Sequence, residues 1–531
     1  METTMNQQLL DTSWVEPAGP VSPAFIELSA MDNLTAPVYP SPTLFFPLKP
    51  GVNPLDLYDD CRRGLARHLY QKPHLCGRLV KDVTGRNSVE IPPAPYAGAK
   101  LEYYDHRHEK EIPSYEEFRS FGFPFADGNR DGLRKLCSEN FPRVQTGDPI
   151  TIARFNVLRG GIVLTVSVAH VICDLVQYID CIKSWATQTQ AVSNARMRNE
   201  PEPPLPKQVA LHLVDRSPMM ANAQIEHDLD KVAARAANLP HWTMLDPRDP
   251  ESMASTLENL FTTARLTDYD LASADEAELR QPSASVWTFP KSSMQIFDFM
   301  AQKGSSGQKR LSTIDCLTAF TWQRFFEAKW APNQSGPEPV PETTRIVYVG
   351  NVRSRLTPPL PLDYLPTCLD LFPVAARTNG FHVCSPRSVA ELATKIRSSN
   401  KNWSEEAFRE MLEVAQMHPF SPGIVPNGPL DAFTTDHTRL GPAAAEDWGA
   451  LGRCEAFREP YIGRTPPLGE ITFLPRWHNG EISVMFAGEA IVMERLRDNK
   501  TMNAAASCQF VMHDFPRTAK KVRRPPRPSR L

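Results

Sequence analysis

The pattern of apolar and polar side chains is clearest between residues 160 and 190. Residues 162–169 are uncharged and rich in β-branched side chains, which predicts a buried strand. After Asp174 the apolar side chains recur at intervals of three and four residues, the period of a helix that packs one face against a core. These helix positions are Leu175, Tyr178, Ile179, Ile182 and Trp185. The sequence therefore predicts a strand–loop–helix unit whose loop covers residues 170–174.

Three further elements are predicted in the same way. Apolar residues at helical spacing indicate a helix over residues 55–68. Another helix is predicted over Thr313–Trp330, with Ser312 as its N-cap because a serine hydroxyl can accept from the first free backbone N–H groups. A β-hairpin is predicted over residues 471–487, since an Asn-Gly pair separates two strand patterns there.

The length of the chain predicts two domains, because 531 residues exceed what one hydrophobic core normally serves. We expect an N-terminal domain over residues 1–215, a crossover region over residues 216–290 and a C-terminal domain over residues 291–515. A proline-rich stretch at residues 199–208 should be extended and exposed. Residues 516–531 hold seven Lys or Arg, four prolines and no acidic residue, which predicts a disordered basic tail.

Charge and composition exclude several classes of function. The chain has 58 basic and 61 acidic residues and a net charge of −3, so it offers no basic surface typical of nucleic-acid or membrane binding. The longest uncharged apolar stretch, residues 160–173, is too short to cross ~30 Å of hydrocarbon. Ten cysteines are scattered singly, which favours a reducing, cytoplasmic location over a disulfide framework or a zinc site.

His106 and His108 could flank a metal, but no third ligand is suggested nearby, and a solvated turn is the favoured interpretation.

One histidine is distinguished by its spacing to an acidic residue. Of 13 histidines, only His170 has an aspartate four residues later, Asp174. Such a pair, at a strand end and a helix start, would be held rigidly and could serve catalysis. The alternative is a core histidine followed by an N-cap aspartate, and the spacing alone favours that alternative. The sequence has no G-x-S-x-G elbow, phosphate-binding loop, G-x-G-x-x-G or H-E-x-x-H motif.

The surrounding segments change this assessment, because several motifs occur in the order found in one enzyme family. They are Leu-Ser-Ala-Met-Asp at 28–32, Phe-Phe-Pro at 45–47, Leu-Cys-Gly-Arg-Leu-Val at 75–80, Gly-Gly at 160–161, the His170–Asp174 spacing, Ser-Thr-Ile-Asp-Cys-Leu-Thr-Ala-Phe-Thr-Trp at 312–322, Asn-Val-Arg-Ser-Arg-Leu-Thr-Pro-Pro-Leu-Pro at 351–361, and the hairpin at 471–487. Over about residues 25–500 the chain resembles the BAHD-type CoA-dependent acyltransferases, particularly the trichothecene-O-acetyltransferase-like members of fungal secondary metabolism.

This resemblance implies a fold and a reaction. The fold is α/β, with two chloramphenicol-acetyltransferase-like domains of mixed sheets and helices and a substrate channel at their interface. The reaction is acyl transfer from acyl-CoA, acetyl-CoA in the first instance, to a hydroxyl of a fungal secondary metabolite. Acyl-CoA is then a co-substrate, with no permanently bound cofactor and no metal, and we expect a monomer acting on a small-molecule alcohol.

The resemblance also implies roles for individual residues. His170 is the general base, and Asp174 supports the loop by pairing with an arginine, for which Arg353 is the first candidate and Arg355 the second. Asp447 and Gly449 are structural. Lys309, Arg310, Ser312 and Thr313 form a site for the CoA phosphates at a helix N-terminus, or alternatively an exposed basic loop with a capping serine.

Two alternative functions remain open at this stage. The first is an N-acyltransferase or condensation-type enzyme that uses the same His170. The second is a non-catalytic relative that keeps the fold as a binding scaffold. It is suggested by Ala169 and Leu175, where the family often has histidine and glycine, and by the altered segment at residues 447–452.

Overall fold

The structure of the protein is a computed structural model that describes residues 11–123, 135–137, 143–304, 310–379, 381, 383–441, 446–458, 467–477 and 479–512. Lys309 and the tail at residues 516–531 therefore lie outside the described residues. The described strands are β1 (Asp11–Val15), β2 (Ala24–Glu27), β3 (Thr43–Pro47), β4 (Arg78–Lys81), β5 (Asn87–Ile91), β6 (Ala99–Asp105), β7 (Thr151–Leu158), β8 (Gly161–Val168), β9 (Trp242–Met244), β10 (Pro282–Phe289), β11 (Thr343–Asn351), β12 (Leu369–Arg377), β13 (Ile424–Pro426), β14 (Ala432–Asp436), β15 (Ala456–Arg458), β16 (Glu470–Phe473), β17 (Ile482–Glu489) and β18 (Ser507–Val511). The described α-helices are α1 (Ala30–Leu34), α2 (Pro54–Gln71), α3 (Tyr115–Ser120), α4 (Leu175–Arg198), α5 (Leu229–Ala236), α6 (Pro250–Glu258), α7 (Asp268–Ser273), α8 (Glu276–Leu279), α9 (Lys291–Gly304), α10 (Thr313–Trp330), α11 (Pro386–Lys401), α12 (Glu405–Met417), α13 (Ala490–Asp498) and α14 (Lys500–Ala505).

The first large sheet has six strands in the order β1-β6-β7-β8-β3-β15. Strand β8 lies between β7 and β3, and all eight of its residues are buried, as its β-branched sequence predicted. Helices α2 and α4 pack beside each other in the core of this sheet, where the indole nitrogen of Trp185 donates to the Cys61 carbonyl at 2.9 Å. Helix α4 ends at Arg198, where Asn199 adopts φ 55°, a common helix C-cap conformation. The proline-rich stretch that follows forms no helix or strand and is mostly exposed, as predicted.

The second large sheet has seven strands in the order β12-β11-β14-β16-β17-β10-β18. Strands β16 and β17 pair antiparallel, which confirms the predicted hairpin, although His478 in its turn lies outside the described residues. Helix α10 has the predicted bounds and the predicted N-cap at Ser312, which forms a capping box with Asp315. Helices α9, α10 and α13 share a second apolar core with this sheet.

The two large sheets are not formed by two separate halves of the chain. Strand β15 comes late in the chain but pairs with β3 in the first sheet. Strand β10 belongs to the second sheet, although it lies inside the 216–290 region expected as a crossover. A third apolar cluster joins Ala30 and Met31 of α1 to Val352 and Tyr364 beyond β11. The mixed α/β class is confirmed, whereas the boundaries at 215, 290 and 515 stay a prediction.

Candidate active site

His170 lies at the end of the central strand β8, on a short turn. Its backbone N–H donates to the Val38 carbonyl at 2.8 Å, and it begins a 3-10 turn over His170–Ile172. The half-buried ring contacts the Cys173 carbonyl oxygen through Nδ1, at 2.8 Å. Because a carbonyl oxygen can only accept, Nδ1 carries the proton in the neutral ring and Nε2 carries the lone pair. This tautomer is the one that a general base acting through Nε2 requires.

Asp174 caps the helix that follows and forms an ion pair on its other side. Its Oδ1 accepts from the Val176 N–H at 2.9 Å, which is the N-cap bond of α4. Its Oδ2 lies 2.7 Å from Nη2 of Arg353 and accepts from the Cys368 N–H at 3.2 Å. Both oxygens are therefore bonded to groups other than the imidazole, and the histidine is oriented by a backbone carbonyl instead of by this carboxylate.

The two candidate arginines have different surroundings. Arg353 is fully buried, and it also donates to the Tyr364 and Pro366 carbonyl oxygens, each at 2.7 Å. Arg355 instead donates to the Asn400 carbonyl, and its guanidinium lies 5.0 Å from the ring centre of Phe372. Arg353 is thus the partner of Asp174.

The residues flanking the pair fit the turn without strain. Leu175 is the first residue of α4, and among the described residues other than glycine only Phe123, Asn199 and Ala331 have positive φ. The position after the aspartate therefore does not need glycine here. Cys173 is fully buried and contacts the Ala169 carbonyl at 3.3 Å, and burial raises the pKa of its thiol well above the ordinary value. A buried thiol that stays protonated contributes to core packing and does not act as a nucleophile.

Two further groups lie near the turn that no sequence pattern predicts. His437 directly follows β14 of the second sheet, and its Nε2 lies 3.2 Å from the Thr435 hydroxyl. Burial first, and then the charge of His170, lowers the pKa of His437 to about 4, against the opposing effect of Glu470. The two histidines are therefore within electrostatic reach of each other, although they come from different sheets. No spacing rule links them in the sequence.

The second such group is Arg216, which pairs with Asp32 of the Leu-Ser-x-x-Asp segment. Its Nε lies 3.0 Å from the Asp32 Oδ2, and its Nη2 donates to the Ile172 carbonyl of the 3-10 turn at 3.4 Å. The motif at 28–32 was recognised from the sequence, but no role was assigned to Asp32. A buried carboxylate needs a cation, but the motif alone does not show that Asp32 is buried.

Asp447 and Gly449 lie against the opposite end of α4. The Gly449 N–H donates to the Asp447 Oδ1 at 2.9 Å, and the next N–H, of Ala450, donates to the Ser193 hydroxyl at 2.8 Å. Since a helix rises about 1.5 Å per residue, Ser193 is roughly 28 Å along the axis from Asp174. This placement favours the structural role over any contact with the reacting atoms.

The proposed CoA segment is described only from residue 310 onward. The exposed Arg310 is followed by Ser312, whose hydroxyl accepts from the Asp315 N–H at 3.1 Å. Thr313 donates its hydroxyl proton to the carboxylate of Asp298. Asp315 is itself paired with Arg397. None of these contacts involves His170.

The expectation of a solvated turn at His106 was wrong. His106 is buried, with Nδ1 2.7 Å from Glu109 and Nε2 3.1 Å from Asn156, while His108 is exposed. The local sequence is polar, but the neighbouring strand β7 covers this ring. Within the described ranges there is no group of three or more His, Cys, Asp or Glu side chains placed to hold a metal.

Two surface grooves are formed by residues other than His170. One, of about 330 Å³, is lined by Phe25–Glu27, Val214–Ser217 and Met220. The other, of about 280 Å³, is lined by Ser217, Pro218, Leu356–Pro358, Leu360 and Arg409. Neither contains His170, so the interface channel stays a prediction.

No helix in the described part of the chain is long and apolar enough to span a membrane.

Two protein-family models match the chain. The Trichothecene 3-O-acetyltransferase-like N-terminal domain matches residues 38–186, and the Transferase family matches residues 149–419, just over half of the chain.

Among similar proteins, Acyltransferase M4 of a Phoma species is 23% identical over 507 residues, covering 93% of this chain and 98% of that protein. Acyltransferase clz6 of Cochliobolus lunatus is 25% identical over 514 residues, covering 93% and 98%.

Solved structures share the fold at low sequence identity. F. graminearum TRI101, crystallised with coenzyme A and T-2 mycotoxin, superposes with a TM-score of 0.64 at 16% identity, covering 92% of this chain and all of that one. Vinorine synthase superposes with a TM-score of 0.56 at 14% identity, covering 93% and 97%. The family match together with the fold and the named relatives shows that this chain is an acyltransferase belonging to the Transferase family, the BAHD-type enzymes.

Proposed function

We propose that the protein transfers an acyl group, in the first instance acetyl, from acyl-CoA to a hydroxyl of a fungal secondary metabolite, with His170 as general base. The observation that carries the proposal is the hydrogen bond from Nδ1 of His170 to the Cys173 carbonyl at 2.8 Å. It leaves the lone pair on Nε2, the atom that must accept a proton. The structures of TRI101 with coenzyme A and a toxin acceptor support the choice of co-substrate and acceptor class.

The proposed reaction is direct transfer between the two substrates. Nε2 removes the hydroxyl proton as the acceptor oxygen attacks the thioester carbonyl carbon, which forms a tetrahedral oxyanion. The oxyanion collapses, the carbon–sulfur bond breaks, and the CoA thiolate takes the proton from Nε2. The products are an ester and free CoA, and the neutral histidine is restored. Since a thiolate is a good leaving group, no covalent enzyme intermediate is needed.

Acyl-CoA binding is proposed for the segment that includes Lys309, Ser312 and Thr313. The hydroxyl of Ser312 accepts from the Asp315 N–H, and among the described residues no acceptor takes its proton. It can therefore donate to a phosphate. Thr313 is less suited, because its proton already goes to Asp298. A cytoplasmic location and a monomeric state are part of the same proposal.

The test uses the purified protein, acetyl-CoA and a metabolite extract of the producing cell. Thiol release that depends on the extract, with a product heavier by one acetyl group in mass spectrometry, is expected. His170→Ala should reduce turnover by roughly 10²-fold or more while the melting temperature stays unchanged. The exposed His212→Ala serves as the matched control. Near-native turnover in His170→Ala would exclude this residue as the base.

The same experiment separates the alternatives. A product that mild alkali cleaves is an ester, whereas a resistant product is an amide and indicates N-acyl transfer. Absence of thiol release with every acceptor fraction would contradict acetyl as the transferred group.

A further inference from the structure

We propose that Arg216 is a positioning residue for His170, holding the catalytic turn through the carbonyl of Ile172. This inference rests on the proposed role of His170 as the base. Arg216 belongs to a segment that follows the proline-rich stretch and precedes α5, far in sequence from Asp32 and Ile172. Its side chain is only 5% exposed, and that of Asp32 is fully buried.

The guanidinium bridges α1 and the turn. Its Nε is 3.0 Å from the Asp32 Oδ2, and its Nη2 donates to the Ile172 carbonyl at 3.4 Å. Asp32 is fixed in turn, because the same Oδ2 accepts from the Ser29 N–H at 3.0 Å and from the Ser29 hydroxyl at 2.8 Å. The cation therefore has a rigid anchor on one side and the turn on the other.

The carbonyl of Ile172 belongs to the peptide directly before the one whose carbonyl, that of Cys173, contacts the imidazole. A trans peptide is planar, with its C=O and N–H pointing in opposite directions. Here the C=O is held by Arg216, while the N–H of the same peptide, on Cys173, donates to the His170 carbonyl at 3.3 Å. With both ends held, the plane cannot rotate. The next carbonyl along the chain, of Cys173, accepts from Nδ1 of His170, so the peptide that Arg216 holds supports the adjacent one that orients the imidazole.

Gln177 gives the same carbonyl a second, neutral donor. With its amide oriented to match its neighbours, its nitrogen lies 3.1 Å from the Ile172 oxygen and 3.2 Å from the Leu365 oxygen, and its oxygen lies 3.1 Å from Nε2 of His74. Removing Arg216 therefore loosens the turn without leaving the carbonyl entirely unbonded. We expect an intermediate loss of turnover, smaller than that from removing His170.

The chain contains a matched pair for comparison. Arg154 and Glu102 form an ion pair in the first sheet with side-chain exposures of 5% and 1%, and Arg154 also donates to a backbone carbonyl, that of Lys135, at 2.7 Å. It has the burial and bonding pattern of Arg216 but contacts no residue of the turn. Substitution there should cost stability without altering the chemistry.

The experiment compares Arg216→Gln with Arg154→Gln in the full chain, each in the wild-type and the His170→Ala background. Because Arg216→Gln leaves a buried carboxylate unpaired, the double variant Asp32→Asn/Arg216→Gln is made as well, so that no unpaired charge can prevent folding. Turnover and the Michaelis constant for acetyl-CoA are measured well below the melting temperature of each variant.

Arg216→Gln and the double variant should lower kcat by roughly 10-fold, since a small displacement of a catalytic group is costly, with the Michaelis constant within about twofold of wild type. Neither should lower the residual kcat of His170→Ala, because the group that Arg216 positions is already gone. Arg154→Gln should leave kcat unchanged in both backgrounds.

The proposal is overturned if the Arg216 variants keep wild-type kcat, or if they lower kcat by the same factor with and without His170. If His170→Ala itself strongly reduces kcat, either of these results refutes only the positioning role of Arg216 and leaves His170 as the base. Wild-type turnover in His170→Ala refutes the proposed base, and with it the role of Arg216.

Discussion

Asp174 and Arg353 form an ion pair of 2.7 Å in which both side chains are completely buried. The aspartate begins α4 beside the first sheet, and the arginine lies in a turn that follows β11 of the second sheet. The pair therefore connects the strand–loop–helix unit that carries His170 to the other sheet. Its charges are well compensated, because Arg353 also donates to three carbonyl oxygens.

Asp174→Ala should destabilise the protein and reduce activity together. Removing one partner of a buried ion pair typically costs about 3–5 kcal/mol, because the remaining charge is left unpaired. Urea denaturation measures this loss, with Asp59→Ala as control. Asp59 forms an exposed pair with Arg62 that should be worth less than about 1 kcal/mol. Loss of activity with an unchanged free energy of unfolding would instead place Asp174 in the chemistry.

The stability of the fold should decrease as the pH falls from 6.5 toward 4. Burial lowers the pKa of His68 from 6.5 to about 3 and that of His437 to about 4. In this range the unfolded chain binds protons that the folded chain does not, so acid favours unfolding, and the stabilisation is fully present above pH 6.5.

The contribution of one histidine can be isolated by substitution. His68 is 2.9 Å from the Ser184 hydroxyl through Nδ1, and an amide side chain can replace this bond. The free energy of unfolding of His68→Gln should therefore change less steeply between pH 6.5 and 4 than that of wild type. Equal slopes in urea denaturation at several pH values would show that His68 titrates normally in the folded protein.

The elements that sequence predicted best are those determined by local rules. Helix Thr313–Trp330 has its predicted bounds because periodicity and a capping serine are both local signals. The strand before His170 and the helix after Asp174 were found for the same reason. The helix extends to Arg198, beyond Trp185, the last of the periodic apolar positions, because residues 187–198 hold few large apolar side chains.

The contacts that complete the site were beyond sequence reasoning. Arg216 bonds the His170 turn, and His437 lies within electrostatic reach of His170, through tertiary proximity of distant segments, which leaves no periodic mark in a single sequence. For His106 the sequence predicted exposure, and the structure shows burial. Its neighbours are polar, which predicted exposure, but the side chain is covered by packing against Asn156 of β7.

Gly449→Ala should lower stability without changing the chemistry. Gly449 has φ 71°, and a Cβ there would lie 2.5 Å from the Cβ of Ser193 on α4. Overpacking of this kind costs about 1–3 kcal/mol. Gly85→Ala is the control, because Gly85 has φ 81° with nothing within 4 Å of an added Cβ, so only the backbone strain is shared. Gly449→Ala should therefore melt lower than Gly85→Ala, and a reduced kcat at temperatures where it is folded would contradict the structural role.

Ser312→Ala should raise the Michaelis constant for acyl-CoA several-fold, whereas Thr313→Val should not. The Ser312 hydroxyl keeps a proton that it can donate to a phosphate, while the Thr313 hydroxyl already donates to Asp298. Ser312→Ala also removes a helix cap, at a cost of about 0.5–2 kcal/mol, so both variants are assayed well below their melting temperatures. Screening by salt weakens phosphate contacts, so the difference between the variants should be largest at low ionic strength. Unchanged constants in both variants, together with a lower melting temperature for Ser312→Ala, would show that Ser312 serves only as a cap.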